Sequence, residues 1–64
     1  MKALYQKKTV KCIITLCQGV GFFKDCYYIN IKWNDAINGV TARVTRSFDD
    51  AFGFFNSLIE KYSK

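Results

Sequence analysis

The sequence predicts an α+β domain in which a three-stranded antiparallel sheet, a β-meander, carries one C-terminal helix on one face, in the order β-β-β-α. Three observations indicate this fold. Hydrophobic and polar residues alternate, as in strands with one buried face, along residues 8–17, 26–37 and 40–46. The pair Asn38-Gly39, typical of a tight hairpin, separates the last two segments. The C-terminal segment carries hydrophobic residues at helical spacing.

The length of the chain, 64 residues, allows one small domain that spans residues 1–64. Half of the residues are hydrophobic and 17% are aromatic, so the chain is expected to fold. A domain of this size buries only about 60% of the surface of its unfolded chain. No hydrophobic run approaches the length of a membrane span, about 20 residues, and the first residues lack the apolar core of a signal peptide. We therefore expect a soluble, cytoplasmic protein that does not enter a membrane.

The first predicted strand, residues 8–17, is joined to the second by a loop that contains two glycines. Its inward-facing residues are predicted to be Val10, Cys12, Ile14 and Leu16, and its outward-facing residues Lys11, Ile13, Thr15 and Cys17. Centring the loop between Gly21 and Phe22 places Cys17 opposite Cys26. At that register a Cys17–Cys26 disulfide is geometrically allowed, although three cysteines in a chain without export features are typical of free thiols.

The Asn38-Gly39 turn determines which residues of the second and third strands share a face. A two-residue type I′ turn requires positive φ at both residues and pairs Ile37 with Val40. The row predicted to face the core contains Ile29, Ile31, Trp33, Ile37, Val40, Ala42 and Val44. The row predicted to face solvent contains Tyr28, Asn30, Lys32, Asn34, Thr41, Arg43 and Thr45.

The helix is predicted to span about residues 48–62 and to begin after Ser47. The Ser47 hydroxyl can accept a hydrogen bond from a free backbone N–H of the first turn, and Asp49 and Asp50 suit the positive end of the helix dipole. One stripe of the helix is hydrophobic and is expected to pack on the sheet; it contains Phe48, Ala51, Phe52, Phe55, Leu58, Ile59 and Tyr62. Gly53 falls on the polar side of the helix.

One helix leaves the second face of the sheet uncovered, and this face carries the main functional hypothesis. The net charge is +5, and residues 1–46 hold eight basic residues against two acidic ones, which favours an anionic partner, nucleic acid first. Lysine and arginine can neutralise phosphates, while threonine, asparagine and tyrosine can bond phosphate or sugar oxygens. As an alternative, these residue types are ordinary on any solvent-facing strand. The predicted nucleic-acid-binding residues are Lys11, Thr15, Tyr28, Asn30, Lys32, Thr41, Arg43 and Thr45.

The segment that leads from the last strand into the helix, RVTRSFDDAFGFF at residues 43–55, resembles the end of arm-type DNA-binding domains. These AP2-like domains, found at the front of many tyrosine recombinases, share the order of three strands and a helix. The similarity of pattern covers about residues 26–60, with Ser47, Phe48 and Ala51 as matching residues. The resemblance implies that the open face of the sheet lies in the major groove of DNA.

The alternative function is binding to a protein, as an inhibitor, an antitoxin-like protein or a counter-defence factor of a bacteriophage or mobile element. Phe22 and Phe23 in the glycine-containing loop and Phe54 at the edge of the helical stripe could contact the partner, since aromatic residues dominate interface energies. Folding of Phe22 and Phe23 under the sheet is the other interpretation of the loop. An edge strand could also pair with a partner's strand or with a second copy of the chain, as a homodimer.

Catalysis is not expected. The sequence has no histidine and no glycine-rich phosphate loop, and the adjacent Asp49 and Asp50 are explained by the start of the helix. A metal site is not expected either, because Cys12, Cys17 and Cys26 lack a fourth ligand of the usual kind. We predict no cofactor.

Overall fold

A four-stranded antiparallel sheet, with its strands in chain order, is covered on one face by a single C-terminal helix in the computed structural model, which describes residues 2–63. The α+β class and the C-terminal helix are confirmed, but the prediction of three strands was wrong. The elements are β1 (Lys2–Lys8), β2 (Cys12–Gln18), a 3-10 turn (Gly21–Phe23), β3 (Tyr27–Trp33), β4 (Val40–Thr45) and α1 (Phe48–Tyr62).

The additional strand is β1, which pairs with β2 along one edge of the sheet. A turn at Thr9 divides the segment that was predicted to be one strand from residue 8. The buried Thr9 hydroxyl accepts a hydrogen bond from the Cys12 backbone N–H (3.1 Å) and donates one to the Cys12 carbonyl (3.0 Å). Because the turn occupies residues 9–11, Val10 is exposed at its tip instead of facing the core as predicted.

The register between β2 and β3 differs from the predicted one by two residues. Cys17 lies opposite Tyr28, and Ile13 lies opposite Lys32. A shift of two residues preserves the face on which each side chain lies, so the predicted inward row of β2 is otherwise correct. Cys17 does not lie opposite Cys26, and both thiols are free.

A six-residue loop, residues 34–39, replaces the predicted tight turn at Asn38-Gly39. Asn34 ends β3 because it is bonded to the β1–β2 turn: its backbone N–H donates to the Lys11 carbonyl (3.0 Å) and its Nδ2 donates to the Val10 carbonyl (2.7 Å). The φ of Gly39 is not positive, contrary to the requirement of a type I′ turn.

The longer loop changes the pairing of β4. Val40 lies opposite Ile31 instead of Ile37, and Ile37 is 91% exposed in the loop. Ala42 then forms a bulge, since Thr41 pairs with Asn30 while Arg43 pairs with Ile29. One extra residue exchanges the faces of everything that follows it in the strand. Arg43 and Thr45 therefore lie on the helix side, and Val44 lies on the opposite side, which corrects the predicted division.

The helix begins and ends where the sequence predicts. The Ser47 hydroxyl accepts a hydrogen bond from the Asp50 backbone N–H (3.2 Å), which confirms the N-cap.

The core lies between the helix and the sheet, and burying each of its large side chains contributes about 1.5–3 kcal/mol to folding. The helix contributes Ala51, Phe55 and Leu58 to the core, and the sheet contributes Cys12, Ile14, Leu16, Ile29 and Ile31. Within residues 2–63, no helix has the length and hydrophobicity needed to cross a bilayer.

Candidate nucleic-acid interface

The face of the sheet opposite α1, here called the open face, is organised in three rows that run across the strands. Residues that lie opposite one another in an antiparallel sheet share a face, so the register determines each row. The apolar row contains Ala3, Cys17, Tyr28 and Val44. The amide-hydroxyl row contains Gln6, Thr15, Asn30 and Thr41. The lysine row contains Lys8, Ile13 and Lys32.

Hydrogen bonds between neighbouring strands orient the side chains of the amide-hydroxyl row. Gln6 Nε2 donates to Thr15 Oγ1 (3.1 Å), and Thr41 Oγ1 donates to Asn30 Oδ1 (3.0 Å). Asn30 Nδ2 also contacts the Cys17 sulfur at 3.8 Å. Each carbonyl oxygen has two lone pairs and each side-chain amide has two N–H groups, so Asn30 keeps hydrogen-bonding capacity for a ligand.

Cys17 is the buried member of the open face. Burial raises the pKa of its thiol, and the hydrogen bond from Asn30 acts in the opposite direction. The neutral thiol is therefore the form that the fold favours.

The lysine row supplies the charge of the open face. Lys32 Nζ donates to the Ala36 carbonyl (3.0 Å), which leaves two of its three N–H groups for another acceptor. Lys8 lies on β1, on the other side of Ile13. None of the five carboxylate side chains belongs to the three rows: two are in the connecting loops and three are on α1.

Five of the eight residues predicted to bind nucleic acid share the open face: Thr15, Tyr28, Asn30, Lys32 and Thr41. Lys11 lies in the turn between β1 and β2 and is exposed. Thr45 lies on the helix side, opposite Tyr27.

Arg43 is also on the helix side, where it contacts α1 instead of the open face. Its Nε donates to Asp50 Oδ2 (2.9 Å) and its Nη2 donates to Asp50 Oδ1 (3.1 Å). The guanidinium carbon lies 5.1 Å from the centre of the Phe54 ring. The prediction that Arg43 faces outward was wrong because the bulge at Ala42 exchanges the faces of β4.

Two residues of the open face, Gln6 and Lys8, were missed by the sequence analysis. Both belong to β1, whose sequence KALYQKK does not alternate between apolar and polar residues. They would have been found only by recognising that strand. The strong strand signal begins at Cys12, after the turn.

The loop between β2 and β3 exposes the aromatic residues Phe22 and Phe23. Phe22 is fully exposed and Phe23 is 61% exposed, so the interpretation that they fold under the sheet was wrong. Four backbone hydrogen bonds hold the loop closed, two of them from Gly19 and Cys26 (both 2.9 Å). Phe54, by contrast, is partly buried against the core.

Comparison of the chain with protein-family models, with curated proteins and with solved structures finds no match. The resemblance to AP2-like domains therefore stays a prediction. No pocket is found in residues 2–63, and no group of three or more metal-ligating side chains occurs there.

Proposed function

We propose that the protein binds nucleic acid through the open face of its sheet. The observation that carries this proposal is that the charged residues in the three rows of the open face are all basic. These residues are Lys8 and Lys32. Asp49, Asp50 and Glu60 lie on α1, which covers the other side, where Lys7, Arg43 and Lys61 offset their charge. A polyanion is attracted to rows that carry lysines and no carboxylate.

The rows suggest a division of roles. Lys8 and Lys32 neutralise phosphates, because ammonium groups bind phosphate as point charges. Thr15, Asn30 and Thr41 donate hydrogen bonds to phosphate, sugar or base oxygens.

Adjacent lysines on β1 provide a matched test of this face. Lys8 lies opposite Ile13 on the open face, whereas Lys7 lies opposite Ile14 on the helix side, and both are exposed. We expect Lys8→Ala and Lys32→Ala each to weaken binding and to lower the slope of log affinity against log salt by about one. Lys7→Ala and Lys61→Ala should leave the slope unchanged. Fluorescence anisotropy with labelled oligonucleotides over a salt series measures all four variants.

Two outcomes would contradict this proposal. One is an absence of salt-dependent binding by the wild-type protein. The other is an equal loss of affinity in Lys7→Ala and Lys8→Ala, which would show a general effect of net charge instead of a contact on one face.

The second candidate function is protein binding through the aromatic loop. The observation that favours it is the exposure of Phe22 and Phe23 on a loop that backbone hydrogen bonds hold closed. Preorganised aromatic side chains are typical anchors of protein interfaces. This function predicts a partner that co-purifies after nuclease treatment, is lost in Phe22→Ala and is retained in Lys32→Ala. The opposite pattern would support nucleic acid.

A further inference from the structure

The width of the sheet bears on which form of nucleic acid the open face can accept. Neighbouring strands lie about 4.8 Å apart, so β1 and β4 are separated by about 14 Å before side chains are added. The major groove of B-DNA is about 12 Å wide and admits an α-helix or a two-stranded ribbon. Because β1 makes the sheet four strands wide, the open face is wider than the groove of a duplex.

The position of Arg43 also disfavours reading of a duplex. Arginine bonded to the O6 and N7 atoms of guanine is the commonest base-specific contact in the major groove. Arg43 is bonded to Asp50 on the helix side, and the charged residues of the three open-face rows are lysines. The three rows of the open face therefore lack the side chain best suited to read base pairs in a groove, and the other arginine, Arg46, lies beyond the end of β4.

Tyr28 is an aromatic residue of the open face, and unpaired bases of a single strand stack on such rings. It lies on the inner strand β3 and is partly exposed, with the smaller residues Cys17 and Val44 opposite it on either side. Its neighbour Tyr27 lies on the helix side, with its ring 5.5 Å from that of Phe48. Among residues 2–63, no aromatic ring is stacked on Tyr28. The partly exposed ring of Tyr28 is therefore not occupied by another aromatic side chain of these residues.

Three residues of the open face follow one another along β3 in the order aromatic, amide and basic. Tyr28, Asn30 and Lys32 alternate with inward-facing residues, so they are spaced about 7 Å apart along the strand. They present an aromatic ring, an amide and an ammonium group in turn. Single-strand-binding surfaces combine stacking platforms with basic residues that follow the backbone.

We infer that the nucleic acid bound by the open face is single-stranded, with one base stacked on Tyr28, the amide of Asn30 bonded to a base or sugar and a phosphate at Lys32. This inference rests on the proposed function and specifies its substrate class.

The test compares single strands and duplex of the same sequence. The probes are a labelled DNA strand and a labelled RNA strand of about ten nucleotides, and the DNA duplex of the same length. We expect at least one of the two single strands to bind more tightly than the duplex, by roughly tenfold or more in terms of the dissociation constant. Tyr28→Leu should weaken single-strand binding by roughly five- to a hundredfold, while Tyr28→Phe, which keeps the ring, should bind nearly as wild type.

Crosslinking in the wild-type protein keeps the test independent of how well a variant folds. A single strand that contains 5-iodouracil, irradiated in the complex, should become attached to Tyr28, as mapped by mass spectrometry of the peptides. Attachment to residues of α1 would overturn the inference.

The remaining outcomes separate the inference from the proposed function. Duplex binding as tight as single-strand binding, with Lys8 and Lys32 still required, would overturn the inference and leave nucleic-acid binding intact. Equal single-strand affinity of folded Tyr28→Leu and wild type would do the same. An absence of binding to every probe would overturn both.

Discussion

Arg43 and Asp50 form two parallel hydrogen bonds that join β4 to the first turn of α1. Each side chain is 42% exposed, and within residues 2–63 this is the only ion pair. The Arg43 guanidinium also lies over the ring of Phe54, four residues further along the helix than Asp50. Arg43 therefore connects the edge strand to the helix, and we expect its role to be structural.

A double-mutant cycle measures this connection. Exposed ion pairs contribute about 0.2–1 kcal/mol, and the two-bonded geometry places this pair at the upper end. We expect Arg43→Ala and Asp50→Ala to show a favourable coupling of about 0.5–1 kcal/mol in urea unfolding followed by circular dichroism. Arg43→Lys should recover only part of the coupling, because an ammonium group cannot form both parallel bonds. A coupling near zero would contradict the structural role.

Two serines of the helix region provide a comparison of capping. Ser47 caps the free N–H of Asp50, whereas Ser57 donates to the Gly53 carbonyl within the helix. Ser47→Ala should lower the free energy of unfolding by about 1 kcal/mol, since the N–H loses its partner. Ser57→Ala should be neutral or slightly stabilising, because alanine has the highest helix propensity. Equal effects in thermal denaturation would show that Ser47 does not act as a cap.

Replacing either of two glycines with alanine is expected to change the free energy of unfolding, in opposite directions at the two positions. At Gly53 an added Cβ meets no atom within 4 Å, so Gly53→Ala should stabilise α1 by about 0.5–1 kcal/mol. At Gly19 an added Cβ would overlap the carbonyl group of Phe23. Gly19→Ala should therefore destabilise the protein by about 1–3 kcal/mol through a shift of the loop backbone. Urea unfolding of both variants beside wild type checks the signs; a stabilising Gly19→Ala would show that the loop differs from the structure.

The buried thiol of Cys17 predicts a dependence of stability on alkaline pH. Burial raises its pKa above the ordinary value of 9.0, so the folded chain keeps a proton that the unfolded chain loses. The contribution of this thiol to stability is complete below pH 9 and is lost as the pH rises through the raised value. Between about pH 8 and pH 10, wild type should lose stability more steeply than Cys17→Ala. Parallel slopes for the two proteins would contradict the prediction.

Reaction with a thiol reagent provides a second measurement of the same burial. Cys12 and Cys17 are buried, whereas Cys26 is partly exposed at the end of the β2–β3 loop. In native protein, Cys26 should react first, and Cys17 should become reactive when denaturant is added. Rapid modification of Cys17 in folded protein would show that the apolar row of the open face is less tightly packed than the structure indicates.

The sequence by itself determined the parts of this protein that depend on local pattern. Helical spacing and the Ser47 cap were sufficient to predict α1, because both act within a few residues of the chain. Alternation was sufficient to predict the core residues of β2 and β3. It also identified Thr15, Tyr28, Asn30 and Lys32, because an even shift of register leaves every face unchanged.

Only the tertiary structure decided the features that depend on contacts between distant residues. Asn34 bonds to the β1–β2 turn, which ends β3 early and replaces the Asn38-Gly39 turn with a loop. The segment of β1 forms a strand because it pairs with β2, although its own sequence does not alternate between apolar and polar residues. The bulge at Ala42 turns Arg43 towards Asp50, while the sequence continues to alternate through the bulge. Because the side-chain period of a strand is two residues, one inserted residue moves every later side chain of the strand to the opposite face. The alternation of the sequence is the same with and without the bulge, so the local sequence does not reveal it.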